Sequence, residues 1–380
     1  MPFVSSATSA PSAYPSAPSR NLALDVLRGL TLALMIVVNT PGSWSAIYAP
    51  LAHAPWHGFT PTDLVFPTFL FVVGAALRLN MKKLAALDHA SFLHTVARRG
   101  ALIFLCGFLL YWFPFFSADF TPMPIGSTRI MGVLQRIGIC YLCAAVIVRY
   151  GGVRGALGFS VAALLGYWWL LWQFGDYTLA GNAVRAVDLA VLGAPHMYGG
   201  DGIPFDPEGI LSTLPAIVNV LAGYLAVAWL NLRGRTLAAV GGLAAAGAAC
   251  LLLAYGWDML LPINKKLWTS SYVLCTVGWD LLVLAVLVWA VDIGGLRAGL
   301  PFFEVFGKNT LFIYLLSSVA VTVLARLRVG GTSLHEWLHE KVFLSWADPR
   351  LASLCFAAAY MLACWLVAWA LDRRRIYIKL

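Results

Sequence analysis

Of 380 residues 61% are hydrophobic and only 11% charged, too little polar surface for a soluble globular protein. The net charge of +9 arises from 26 Lys and Arg against 17 Asp and Glu, with no basic groove-reading motif, so no nucleic-acid partner is expected. Apolar windows able to cross a core of ~30 Å recur throughout, and in lipid each must pair its own backbone groups. The expected fold class is therefore all-α, a polytopic integral membrane protein whose other partner is membrane lipid.

In chain order, residues 1–19 are rich in Ser, Ala and Pro and read as a disordered cytoplasmic tail, with neither the charged start nor the apolar core of a signal peptide. About ten transmembrane helices follow, at roughly 24–48, 62–80, 100–116, 130–149, 156–174, 211–231, 236–255, 271–291, 309–326 and 351–371. With the N-terminus inside, 17 of the 26 Lys and Arg fall on the cytoplasmic side and 9 opposite, so both termini are expected in the cytoplasm. The longer loops, 117–129, 175–210 and 330–350, then lie outside, where elaboration suggests that a substrate is met. All seven cysteines sit inside these spans as small apolar residues, Cys140 and Cys143 included.

The chemistry-bearing residues concentrate in LAHAPWHGFTPTDLVFP at 51–67, which holds Trp56, His53, His57 and Asp63 but no Lys or Arg. Asp63, in the first turn of the second helix, could fix the His53 tautomer and leave the other ring nitrogen as a base. It could equally be a helix-start cap, and His53 an interfacial hydrogen-bonded histidine. Asn39 lies within the first predicted helix, ~9 residues from its outer end, where an amide either joins helices or faces a polar cavity. Arg136 and Asp280 fall ~9 and ~13 Å deep in the outer half, by helix rise, and could pair across a cavity or simply lock two helices. His335–His339 reads H-E-x-x-H, a zinc signature. It lies in a loop with no evident third ligand, so an amphipathic surface helix is expected and no metal.

Several stretches together resemble the heparan-α-glucosaminide N-acetyltransferase family and its bacterial relatives. They are RNLALDVLRGLT (20–31), VNTPG (38–42), HAPWHG (53–58), TDLVFP (62–67), LQRIG (134–138), DPEGILST (206–213), PINKKLWTSSY (262–272) and GKNTL (307–311). The resemblance implies one transmembrane acyltransferase domain over 20–380, using acetyl-CoA as cosubstrate and acetylating an amino sugar on the far side of the membrane. It maps the catalytic histidine onto His53 and its partner asparagine onto Asn39; Asp63 joins them as the residue orienting the histidine. Arg28, Lys308 and Asn309 are the candidates for holding the cofactor, and Trp56, His57, Arg136, Glu208, Lys265, Trp268 and Asp280 for lining the substrate cavity. His57 stands where lysosomal relatives carry Asn, and their large luminal N-terminal domain has no counterpart in this sequence, so small amino sugars or cell-wall fragments are the expected acceptors. A homodimer in a bacterial inner (plasma) membrane is implied. A ternary complex is favoured over an acetyl-histidine, which would face water. The alternative class is an amino-sugar permease.

Overall fold

Proline sets the reach of the first helix. A residue preceding proline is pushed out of the α region, and Thr40, before Pro41, leaves the helix with φ −133° and ψ 56°. In the computed structural model, which describes residues 21–117 and 119–378, α1 therefore runs Leu22–Asn39 rather than on to 48. Asn39 is the last helical residue and is exposed, not embedded in a longer span. The expected tail at 1–19 lies outside the described residues.

The chain continues through α2 (Pro61–Ala85), α3 (His89–Trp112) and a 42-residue α4 (Val133–Phe174). Gly152 breaks α4 with φ 56° and ψ −150°, a left-handed backbone that glycine adopts without a Cβ penalty. Next come α5 (Ala183–Leu192), α6 (Thr213–Arg233), α7 (Leu237–Asp258) and α8 (Ser270–Leu287), which passes through a π turn to Ile293. The remainder is α9 (Leu300–Lys308), α10 (Thr310–Arg326), a ribbon of β1 (Arg328–Val329) and β2 (Thr332–Ser333), α11 (Leu334–Leu338) and α12 (Pro349–Arg373). Among the described residues, eight helices are long and apolar enough to cross a membrane, and α9 with α10, bent by 84°, would make a ninth. Dividing α4 at Gly152 recovers the ten windows read from the sequence.

Contacts define two ends. At the terminal end, where α1 begins and α12 finishes, Arg149 on α4 donates to the carbonyls of Ala85 and Leu87, and Lys308 pairs with Asp372. At the opposite end, the loop end, Gly42 donates to Ser353 and Gly58 to Ile263. Small residues bring the helices close: a Cβ on Gly74 would fall 1.7 Å from the Val220 carbonyl oxygen, and one on Gly223 would fall 1.8 Å from that of Phe71. This keeps α2 and α6 in near backbone contact, the packing favoured where no hydrophobic drive separates helix from lipid. Leu252 and Leu253 on α7, and Leu157 and Val161 on α4, remain exposed as an apolar perimeter.

Candidate active site

The site begins with a proline inside α2. Pro67 has no N–H, so the carbonyl of Asp63 four residues earlier loses its helical partner. Tyr272 on α8 supplies the replacement, its hydroxyl donating to the Asp63 carbonyl at 2.7 Å. The first turn of α2 is thus fixed to α8. Thr60 and Asp63 form a capping box there, with Asp63 Oδ2 accepting from the Thr60 N–H at 3.0 Å and from Ala54 N–H at 3.1 Å.

The other oxygen, Oδ1, lies 2.7 Å from His53 Nδ1. Asp63 therefore caps its helix and holds the imidazole at once; the two readings left open by the sequence coexist. A carboxylate only accepts, which assigns the ring proton to Nδ1 and leaves Nε2 with its lone pair. Asp63 is fully buried, while the His53 side chain is 41% exposed.

Lys265, 212 residues beyond His53, reaches the pair, with Nζ at 2.9 and 3.2 Å from the two ring nitrogens and 3.5 Å from Asp63 Oδ1. Its loop is tightly folded: Thr269 Oγ1 accepts from Asn264 N–H at 3.1 Å, and Asn264 Oδ1 accepts from Leu267 N–H at 2.8 Å. Burial lowers the Lys265 pKa, a pull that the neighbouring Asp63 and Glu208 charges offset only in part.

Glu208 is delivered by the loop before α6. Arg129 bonds Asp206 at 2.6 and 2.9 Å and Glu208 at 2.6 Å. Burial raises the Asp206 pKa despite Arg129, whereas on Glu208 the guanidinium charges of Arg129 and Arg136 outweigh burial and hold it low. Arg136, buried on α4, donates to the Gly209 carbonyl at 3.2 Å and to Ser212, and stacks over the Trp268 ring at 4.6 Å. Asp188 Oδ1 accepts from Ile210 N–H at 2.9 Å, and burial pushes its pKa up to about 6.

Three cavities meet at these residues. A mouth of about 430 Å³ is lined by His53, Arg129, Tyr198, Asp201, Glu208, Lys265 and Lys266, among others. A narrow chamber of about 110 Å³ shares His53, Glu208 and Lys265 with it and adds Asn39 and Thr62. A groove of about 270 Å³ between α1, α3, α4 and α10 shares Asn39 with the chamber and continues past Gln135 to Tyr314. Asn39 and His53 thus face one space although 14 residues apart in sequence.

Other sequence candidates lie beside this axis. Trp56 donates to the Tyr177 carbonyl at 2.7 Å and meets Phe205 edge-on, while His57 lies 3.3 Å from Asn264 Nδ2. Burial lowers the His57 pKa, partly opposed by Asp258. Trp268 is buried beneath the chamber against Phe66 and Tyr272, and its indole donates to Asn219. The suggested Arg136–Asp280 pair gives way to other partners: Arg136 takes the 209–212 loop, and Asp280 accepts from Thr68 on α2. Asp280 is held within the α2–α8 contact while Arg136 bonds the loop before α6, a relation that depth alone does not resolve.

At the terminal end, Arg28 bonds Asp25 at 3.3 Å and the Gly307 carbonyl at 3.4 Å. Lys308 bonds both Asp372 oxygens at 2.8 and 2.9 Å, and Asn309 exchanges bonds with Ile376 and Ile378. In the H-E-x-x-H stretch, Glu336 closes a capping box with Ser333, and His335 packs on Phe356 at 4.6 Å. No group of three or more His, Cys, Asp or Glu among the described residues is arranged to hold a metal ion.

Fold and site define an integral membrane protein whose polar residues converge on a chamber at one end of a helical bundle. The family described as heparan-alpha-glucosaminide N-acetyltransferase, catalytic, matches residues 20–261, and the chain belongs to it. The human and mouse heparan-alpha-glucosaminide N-acetyltransferases are each 28% identical over 359 residues, covering 78% and 79% of this chain. The chain spans about half the length of these relatives, 52% and 53% respectively.

Proposed function

We propose that this protein moves an acetyl group from acetyl-CoA, approaching from the cytoplasmic side, to the amine of an amino sugar in the mouth. One observation carries the reading: a single chamber lined by both His53 and Asn39, between a polar mouth and a groove that continues into the bundle. The neutral acceptor amine attacks the thioester carbonyl carbon, and His53 Nε2, unprotonated because Nδ1 donates to Asp63, takes the proton that the nitrogen loses. The Asn39 amide and the Lys265 ammonium line the space where the carbonyl oxygen gains negative charge, the arrangement that lowers the barrier to acyl transfer. Collapse of the tetrahedral adduct breaks the carbon–sulfur bond, and the proton returns from His53 to the departing thiolate.

The charge balance of the mouth supports an uncharged sugar scaffold. Arg129 is paired with Asp206 and Glu208, Lys266 with Asp201 and Lys265 with Asp63, so each cation already has its carboxylate. An acceptor bearing sulfate would have to break such a pair. Arg28 and Lys308, the candidates for holding the cofactor, are each already paired with a carboxylate, Asp25 and Asp372, which supports a role in tying helix ends together. The excess of Lys and Arg on the terminal-end side supports placing it in the cytoplasm. A homodimer in a bacterial plasma membrane belongs to the same proposal.

Purified protein incubated with labelled acetyl-CoA and a panel of amino sugars is the test. Acetylated glucosamine, with glucosamine 6-sulfate at least tenfold poorer in kcat/KM, is the expected result. Sugar uptake into vesicles without acetyl-CoA, and no acetylated product, would replace the reading with that of a permease.

A further inference from the structure

Gln135 is a buried polar residue of the groove for which the fold supplies no partner among the described residues. It occupies the first turn of α4, is fully buried, and neither Oε1 nor Nε2 has a hydrogen-bond partner among the described residues. An unpaired buried carboxamide is costly and demands an explanation. The next residue, Arg136, is bonded to the 209–212 loop; Gln135 instead lines the groove whose upper end is Asn39.

The surroundings make room for this amide. On α3, a Cβ at Gly107 would fall 2.3 Å from Gln135 Oε1 and 2.7 Å from its Cδ, so glycine there lets the side chain lie where it does. Across the groove, the hydroxyls of Ser317 and Ser318 donate to the Tyr314 carbonyl and that of Thr322 to the Ser318 carbonyl. The remaining wall is largely apolar: Met35, Ile36, Leu110, Val133, Leu134 and Val321. Gln135 is left with both a donor and an acceptor unpaired in the wall of this groove.

From this geometry we infer that Gln135 binds a secondary amide of the acyl donor's arm, holding the thioester at Asn39. This rests on the acetyl-transfer reading above. Gln135 offers one donor and one acceptor; a trans secondary amide, its N–H and carbonyl pointing opposite ways, meets one of them, and the arm's other amide can meet the second. An ester, as in a lipid, could accept from Nε2 but would leave Oε1 without a donor. The arm of coenzyme A carries two secondary amides between thioester and nucleotide, so one of them can meet Gln135 while the acetyl end enters the chamber.

The test compares acetyl-CoA with S-acetylmercaptoethanol, a thioester that carries no amide, in Gln135→Leu and in Gln135→Met. Both substitutions keep the volume and remove the amide. Expected are a KM for acetyl-CoA raised about tenfold, the loss of roughly one hydrogen bond, an unchanged kcat, and unaltered kinetics with S-acetylmercaptoethanol. The melting temperature without donor should not fall, because an unpaired polar group has been removed. Gly107→Ala, which must displace Oε1, should give the same donor-selective effect. Equal changes with both donors, or no change with either, would overturn the inference while leaving acetyl transfer intact. So would a lowered melting temperature with an unchanged KM for acetyl-CoA. A wild-type protein that transfers acetyl from neither donor would remove the functional reading, and this inference with it.

Discussion

The two ends of the bundle carry similar charged side chains and put them to different uses. At the terminal end, the lysine of α9 meets the carboxylate of α12, Arg28 bonds Asp25 and the Gly307 carbonyl, and Asn309 is bound to the backbone at 376 and 378. These contacts tie helix ends together. At the loop end the bonds are arranged around a space: Asp63 orients His53, Lys265 lies against both, and Asn39 faces the same chamber from another helix. Charge at a bundle end is thus no guide to chemistry by itself; a shared cavity is what separates a site from a lock.

Substitutions can break or sharpen that contrast. The largest effect is expected for His53→Ala, which should lower kcat by about 10²–10⁴, the usual worth of a general base, with thermal stability unchanged. Asn39→Ala should lower kcat by about 10²–10³ if its amide meets the oxyanion, while the KM for the acceptor stays within twofold. Tyr272→Phe removes the donor to the carbonyl that Pro67 leaves open and should cost about 1–3 kcal/mol of stability, measured by denaturation in detergent, with a smaller loss of kcat. Lys308→Ala, at the terminal end, should cost up to about 1 kcal/mol and leave the KM for acetyl-CoA within threefold. A tenfold rise in that KM would make the terminal end a binding site and erase the contrast.

The smallest effect concerns Asp188, whose carboxyl is pushed up to about 6. Unfolded, it would titrate near pH 3.9. Because the folded value is higher, the folded state holds the extra proton, so this stabilisation is complete below about pH 4 and is lost as pH rises through about 6. Asp188→Asn keeps an oxygen for the Ile210 N–H and removes the titration. Its melting temperature should therefore depend less on pH between 4 and 6 than that of the wild type.

The apolar windows were legible because backbone in lipid must be helical, and the pair merged within α4 is divided by a glycine. The end of α1 was misjudged although Pro41 signalled it: hydropathy continues to 48, but the backbone restriction on Thr40 acts first. That shift moves Asn39 from the helix interior to its last turn, at the chamber. His53 with Asp63 could be read locally, since ten residues and a helix start bring them together. Lys265 could be named from its motif, but its approach to His53 depends on how α7 and α8 pack. Arg129, Asp201 and Lys266 at the mouth were not singled out, being loop residues whose partners are distant in sequence. Tyr272 had a signal in hindsight, because a proline at 67 requires a donor for the Asp63 carbonyl. Gln135 had only a weak one, an amide beside Arg136 in an apolar helix.

The most direct test of the account is acetyl transfer across a sealed membrane. Oriented proteoliposomes would hold labelled acetyl-CoA on the terminal-end side and glucosamine on the loop-end side, with wild type and His53→Ala compared. The account predicts labelled N-acetylglucosamine on the loop-end side for the wild type and at least a hundredfold less for the variant. Product formed equally well with acetyl-CoA and glucosamine on the same, loop-end side, or formed undiminished by His53→Ala, would contradict it.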